Sequence, residues 1–126
     1  MTDRVLGLPR GAWLVVAIVL AVLAAVAALI PPRGTPGIEV ADLGETLATV
    51  LHGVGYAVLA ATAMLAQRQP RPVPTALLLI AYGVLLEIVQ GALGQRSAQW
   101  VDLAANSAGV VLGILVALPF IRRASA

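Results

Sequence analysis

Four long apolar segments, separated by short stretches rich in proline, glycine and charge, dominate the hydrophobic pattern of the chain. They cover residues 11–30, 46–67, 75–93 and 100–121. Each segment is close to the roughly 20 residues that an α-helix needs to cross the hydrocarbon core of a bilayer. Their apolar residues do not alternate with polar ones, which favours helices over the strands of a membrane barrel. The pattern predicts an all-α fold, an integral membrane bundle of four transmembrane helices forming one domain over residues 1–126.

The composition supports the membrane assignment and excludes several classes of protein. Residues of the AVILMFWYC set make up 60% of the chain and charged residues 11%, whereas a soluble domain has roughly 45–50% and 25%. So few charges do not cover a water-exposed surface, which argues against a soluble enzyme, a disordered tail and a nucleic-acid partner. The chain has no cysteine, and it contains no P-loop, dinucleotide or serine-hydrolase motif. No cofactor is therefore predicted.

The arginines predict the orientation. Six of them lie before the first span, between the second and third, and after the fourth, whereas two lie in the other connections. Because basic loops stay on the cytoplasmic side, both termini are expected in the cytoplasm. The lysine-free, alanine-rich composition suggests a bacterium, and hence its cytoplasmic membrane. The first span is longer than the roughly 7–15 apolar residues of a signal peptide, so we expect a retained helix.

Polar side chains inside three of the spans are the candidate functional residues. Ionisable groups within a bilayer cost about 2.5–3.5 kcal/mol, so they normally face other helices or a cavity. His52 and Glu87 lie about 9 Å from the extracytoplasmic ends of their spans, and Asp102 lies at a similar depth. Helical spacing puts the polar residues of each span on one face, and these pairs are His52 with Tyr56, Glu87 with Gln90, and Asp102 with Asn106.

The polar face of the fourth span continues into a small-residue face. Asn106, Gly109 and Gly113 follow Asp102 at helical spacing, so the polar end is expected to face a site and the glycines to allow close helix packing. The first span has no polar side chain in its middle. We therefore expect it to close the bundle or to face lipid.

The motifs of the last three spans resemble those of the VanZ-like membrane proteins. In order they are Glu87-Ile-Val-Gln90, Arg96-Ser97, and Asp102-Leu-Ala-Ala-Asn106 followed by Gly109 and Gly113, with His52 and Tyr56 on the preceding span. The resemblance covers roughly residues 45–121. It departs at Ala48 and Thr49, where the family often has an Asp-Lys pair. The resemblance implies a cell-envelope membrane protein with a link to low-level resistance to the glycopeptide teicoplanin.

Our first functional hypothesis is a site open to the outer leaflet. His52 would act as general acid or base, Glu87 and Asp102 as its carboxylate partners, and Arg96 as an anion clamp. Three further side chains would contact the ligand, and these are Tyr56, Gln90 and Asn106. The ligand would be an amphiphilic anion reached from the membrane lipid, either a lipid-linked envelope precursor or a glycopeptide. Whether the protein is an enzyme stays open.

The alternative hypothesis is a non-enzymatic protein that binds a protein partner or its own copies. The polar cluster would then hold the bundle together, with Glu87 paired to Arg96 and His52 bonded to Asp102 or Asn106. In this interpretation Asp102 is a solvated acid in the first turn of its helix. A metal site built from His52, Glu87 and Asp102 is disfavoured, because the chain has only one histidine, and none is predicted.

Overall fold

Four long α-helices make up most of the described chain. The structure is a computed structural model that describes residues 3–29, 41–93 and 100–125. Within these ranges the helices are α1 (Arg10–Leu29), α2 (Ala41–Leu65), α3 (Pro72–Ala92) and α4 (Trp100–Ser125), preceded by a hairpin of β1 (Arg4–Val5) and β2 (Leu8–Pro9). All four helices are long and apolar enough to span a membrane. The predicted all-α transmembrane bundle is confirmed.

The start of α3 lies earlier than the apolar pattern indicated. The helix begins at Pro72, three residues before Thr75. Proline suits the first helical position because its φ angle is already helical and the backbone N–H there needs no helical partner. The hydroxyl of Thr75 donates a hydrogen bond to the carbonyl oxygen of Arg71 over 2.7 Å. Part of the proline-rich connection is therefore the first turn of α3.

Helices α2 and α4 pack backbone against backbone. A Cβ atom built on Gly109 would lie 2.1 Å from the carbonyl oxygen of Gly53, and one built on Gly113 would lie 2.1 Å from that of Ala57. Only glycine fits at such distances, as in the small-residue contacts common between membrane helices. The predicted packing role of Gly109 and Gly113 is confirmed.

Arg10 ties the start of α1 to the end of α2. Its side chain is buried, and Nη1 donates hydrogen bonds to the carbonyl oxygens of Leu65, over 3.2 Å, and of Gln67. These carbonyls lie at the C-terminal end of α2, where backbone acceptors lack helical partners and the helix dipole is negative. From the sequence, Arg10 was expected only as a topological charge, whereas in the structure it holds two helices together.

The N-terminal hairpin packs on the same end of the bundle. Leu6 and Gly7 form its turn with φ angles of 52° and 82°, which is the backbone of a two-residue type I′ turn. Val5 is buried, and its carbonyl oxygen accepts a hydrogen bond from Nε1 of Trp13 over 3.0 Å. Trp13 therefore fixes the hairpin to α1.

Candidate functional site

A cavity of about 460 Å³ lies in the half of the bundle away from the N-terminal hairpin. It is lined by the second half of α1, the first half of α2, the second half of α3 and the early part of α4. Five of the seven residues singled out in the sequence line it, and these are His52, Tyr56, Glu87, Gln90 and Asn106. The predicted proximity of polar residues from α2, α3 and α4 is confirmed, whereas their functional roles stay predictions.

Helix α1 forms the apolar wall of this cavity. Leu20 and Ala24 line it from α1, followed by Ala27 and Ala28 one turn further along the helix. The expectation was that the first span closes the bundle or faces lipid; one face of α1 closes the cavity, and its opposite face is exposed. Leu23 of α1 and Leu51 of α2 also line the cavity, although their side chains are 58% and 59% exposed. The cavity therefore borders the outer surface of the bundle on the side of α1 and α2.

Tyr56 is held against α3 at a glycine. A Cβ atom built on Gly83 would lie 3.3 Å from the hydroxyl oxygen of Tyr56 and 3.4 Å from its ring. Gly83 lies four residues before Glu87, so the two share one face of α3. Gly83 was not among the predicted residues. Its helical spacing from Glu87 was the available signal.

Two polar side chains of α3 bond to the backbone of α1. Nε2 of Gln90 donates to the carbonyl oxygen of Ala28 over 2.9 Å, and the hydroxyl of Tyr82 donates to that of Ala21. Ala28 lies in the last turn of α1, where a carbonyl has no helical partner. A helix without polar side chains in its middle is thus still held by hydrogen bonds. Tyr82 was not among the predicted residues.

Asp102 is buried between α2 and α4 and lies outside the lining of the cavity. Its side chain is 1% exposed, and Oδ1 accepts a hydrogen bond from the hydroxyl of Thr49 over 2.9 Å. The interpretation of Asp102 as a solvated first-turn acid is therefore wrong. The catalytic role assigned to it stays a prediction.

Asn106 lies one helical turn beyond Asp102 and does line the cavity. The residue is 3% exposed. Its Oδ1 is the one buried side-chain nitrogen or oxygen atom without a hydrogen-bond partner in the part of the chain that the structure describes. An unpaired buried acceptor costs about 1–3 kcal/mol. Such an atom therefore calls for a physical explanation.

Arg96 and its neighbour Ser97 lie outside the described residues. The predicted anion clamp and the pairing of Glu87 with Arg96 accordingly stay predictions. Among residues 3–29, 41–93 and 100–125, no group of three or more His, Cys, Asp or Glu side chains is placed to hold a metal ion. His52, Glu87 and Asp102 do not form such a group.

The cavity combines three kinds of polar chemistry. Neutral imidazole both donates and accepts, the phenol of Tyr56 does the same, and an ionised carboxylate only accepts hydrogen bonds. Together with the apolar wall from α1, these groups suit a molecule that has one apolar part and one polar part.

A family comparison agrees with the motifs. The family model described as VanZ/LLP1 matches residues 12–122, a range that contains α2, α3, most of α1 and α4, and the whole lining of the cavity. No curated protein and no solved structure shows a significant match to the chain.

Proposed function

Because the chain belongs to the VanZ/LLP1 family, we propose that it serves the bacterial cell envelope by holding part of an amphiphilic molecule within the membrane. The bound molecule is a lipid-linked envelope precursor or an amphiphilic glycopeptide. This binding contributes to resistance against glycopeptides of the teicoplanin type. The observation that carries the proposal is the cavity itself, which joins the apolar wall of α1 to five polar side chains from the other helices.

The size of the cavity limits what enters it. A volume of about 460 Å³ lies within the roughly 300–1,000 Å³ typical of pockets for small ligands. A whole glycopeptide or lipid-linked precursor is larger than such a pocket. The protein would therefore take up a segment of the amphiphile, with its apolar part along Ala24 and Ala27 of α1 and its polar part near Glu87 and Asn106.

Access from the membrane supports an amphiphilic rather than a soluble ligand. Leu23 and Leu51 are exposed on the outer surface and line the cavity, and we propose that an acyl or isoprenoid chain enters beside them, between α1 and α2, without crossing water. The arginine distribution favours the outer leaflet for this half of the bundle, with both termini in the cytoplasm. Arg96 would meet an anionic group of the ligand at that level.

Chemistry on the bound molecule would depend on His52. Its imidazole and the side chains of Tyr56 and Glu87 line one cavity, so a proton donor and a proton acceptor are available to the same ligand. An imidazole can both donate and accept a proton, which suits general acid–base catalysis. Loss of function in His52→Gln, with ligand retention intact, would separate a reaction from simple binding.

Filling the cavity tests the proposal in cells. A Cβ atom built on Gly55 meets no other atom within 4 Å, and Gly55 lines the cavity, so we expect the side chain of Gly55→Leu to occupy part of the cavity. Gly91→Leu is the matched control, because Gly91 is equally unobstructed and does not line the cavity. At equal membrane levels, wild type and Gly91→Leu should raise the inhibitory concentration of a teicoplanin-type glycopeptide, whereas Gly55→Leu should not. Equal protection by all three proteins contradicts the proposal.

A second candidate function is a structural or partner-binding role. It is favoured by the hydrogen bonds from Thr49 to Asp102 and from Gln90 to Ala28, which join helices without any ligand. In this case substitutions of the polar residues should lower thermal stability and membrane levels together. Stable variants that lose protection against the glycopeptide would argue against it.

A further inference from the structure

Asn106 indicates the chemistry of the bound ligand. The residue is 3% exposed, it lines the cavity, and its Oδ1 has no hydrogen-bond partner. A membrane interior contains little water to satisfy such an atom, which makes an unpaired acceptor costly. An asparagine placed in this way needs a donor from outside the described chain.

The neighbouring polar groups also favour a ligand that donates a hydrogen bond. Gln90 already donates an amide hydrogen to the carbonyl oxygen of Ala28, and Glu87, when ionised, only accepts hydrogen bonds. Oδ1 of Asn106 is thus an acceptor that no donor of the described residues meets. A ligand that brings its own donor complements it, whereas one with acceptors alone does not.

We infer that the polar head of the bound amphiphile carries a hydrogen-bond donor, a hydroxyl or an ammonium group, and that Oδ1 of Asn106 accepts it. This inference rests on the proposed function and names the chemical class of its ligand. A water molecule bound to Asn106 is the competing explanation, and it would serve every headgroup equally. Selective retention of lipids whose headgroups donate hydrogen bonds therefore distinguishes a ligand donor on Asn106 from a bound water molecule.

Three lipids with identical acyl chains test the inference. Phosphatidylethanolamine and phosphatidylcholine are both zwitterionic, but only the former carries N–H donors, whereas phosphatidylglycerol supplies hydroxyl donors. The delipidated full-length protein is incubated with an equimolar mixture, and the retained lipid is measured by native mass spectrometry. We expect retention of at least one donor lipid to exceed that of phosphatidylcholine about tenfold, the effect of one well-made hydrogen bond in a buried site. Which donor lipid is preferred distinguishes hydroxyl from ammonium.

Substitutions of Asn106 connect the selectivity to this residue. Asn106→Leu has a similar size and no acceptor, so the preference for a donor lipid should fall to within about twofold of unity. Asn106→Asp keeps the shape and an acceptor, and should keep the preference even if the leucine variant folds poorly. Equal retention of all three lipids by the wild type, or an unchanged preference in Asn106→Leu, would overturn the inference alone. Retention of none of them would contradict the proposed function as well.

Discussion

The hydroxyl of Thr49 donates a hydrogen bond to Oδ1 of Asp102 over 2.9 Å, across the interface between α2 and α4. Thr49 stands where the VanZ-like proteins often have a lysine. A neutral donor here meets a carboxyl group that is only 1% exposed. The pair thus joins two helices beside the cavity. Neither Thr49 nor Asp102 lines the cavity, whereas His52 and Asn106 do.

The first prediction concerns this pair. Thr49→Val removes the donor and keeps the shape of the side chain, so the free energy of unfolding should fall by about 1–3 kcal/mol. Thr49→Ser keeps a hydroxyl and should stay close to the wild type. Thermal unfolding in a mild detergent measures both. If the valine and serine variants unfold at the wild-type temperature alike, the hydrogen bond contributes nothing.

The second prediction concerns the contact between α2 and α4. A Cβ atom at Gly113 would lie 2.1 Å from the carbonyl oxygen of Ala57, so Gly113→Ala must push the helices apart. We expect a loss of at least about 1–3 kcal/mol, as for other overpacked sites. Gly91→Ala is the control, because nothing lies within 4 Å of a Cβ atom there. A Gly113→Ala protein as stable as Gly91→Ala would disprove the close packing.

The third prediction separates the role of Arg10 in joining α1 to α2 from its role as a topological charge. Arg10→Ala removes the hydrogen bonds to the carbonyls of Leu65 and Gln67, and hydrogen bonds to charged groups contribute roughly 1.5–3 kcal/mol. Arg10→Lys keeps the topological charge but not the guanidinium fork, so stability should fall while the orientation is retained. Arg4→Ala is the control, since Arg4 is exposed. Equal unfolding temperatures for Arg10→Ala and Arg4→Ala would rule out a role of Arg10 in joining α1 to α2.

The fourth prediction concerns the orientation in the membrane. The chain has no cysteine, so single cysteines can be labelled without background. A membrane-impermeant thiol reagent added to intact cells should label Thr35→Cys, between α1 and α2, and leave Gln69→Cys, between α2 and α3, unlabelled until the cells are opened. The reverse pattern would place the cavity in the cytoplasmic leaflet.

The sequence predicted the architecture well, because continuous hydropathy identifies a transmembrane helix without any tertiary information. It also predicted that His52, Glu87 and Asn106 meet, since helical spacing and depth follow from residue number alone. Both arguments treat each helix as a straight rod with a known end.

Other features depend on which residues of different helices face each other in the fold. The acceptors of Arg10 and Gln90 are backbone carbonyls on other helices, and every residue has a carbonyl, so no sequence signal marks them. The N-terminal hairpin turns at Leu6 with a positive φ angle, which is uncommon for leucine. The separation of Asp102 from the cavity depends on the rotation of α4, which periodicity alone leaves open.

Retention of an amphiphile by the purified protein tests the central claim, that a membrane molecule occupies the cavity between α1 and the polar faces of the other helices. Native mass spectrometry of protein extracted in a mild detergent should show one retained amphiphile in the wild type and in Gly91→Leu, and none in Gly55→Leu. A wild-type protein that retains no more than Gly55→Leu, with both folded to the same unfolding temperature, would contradict the account.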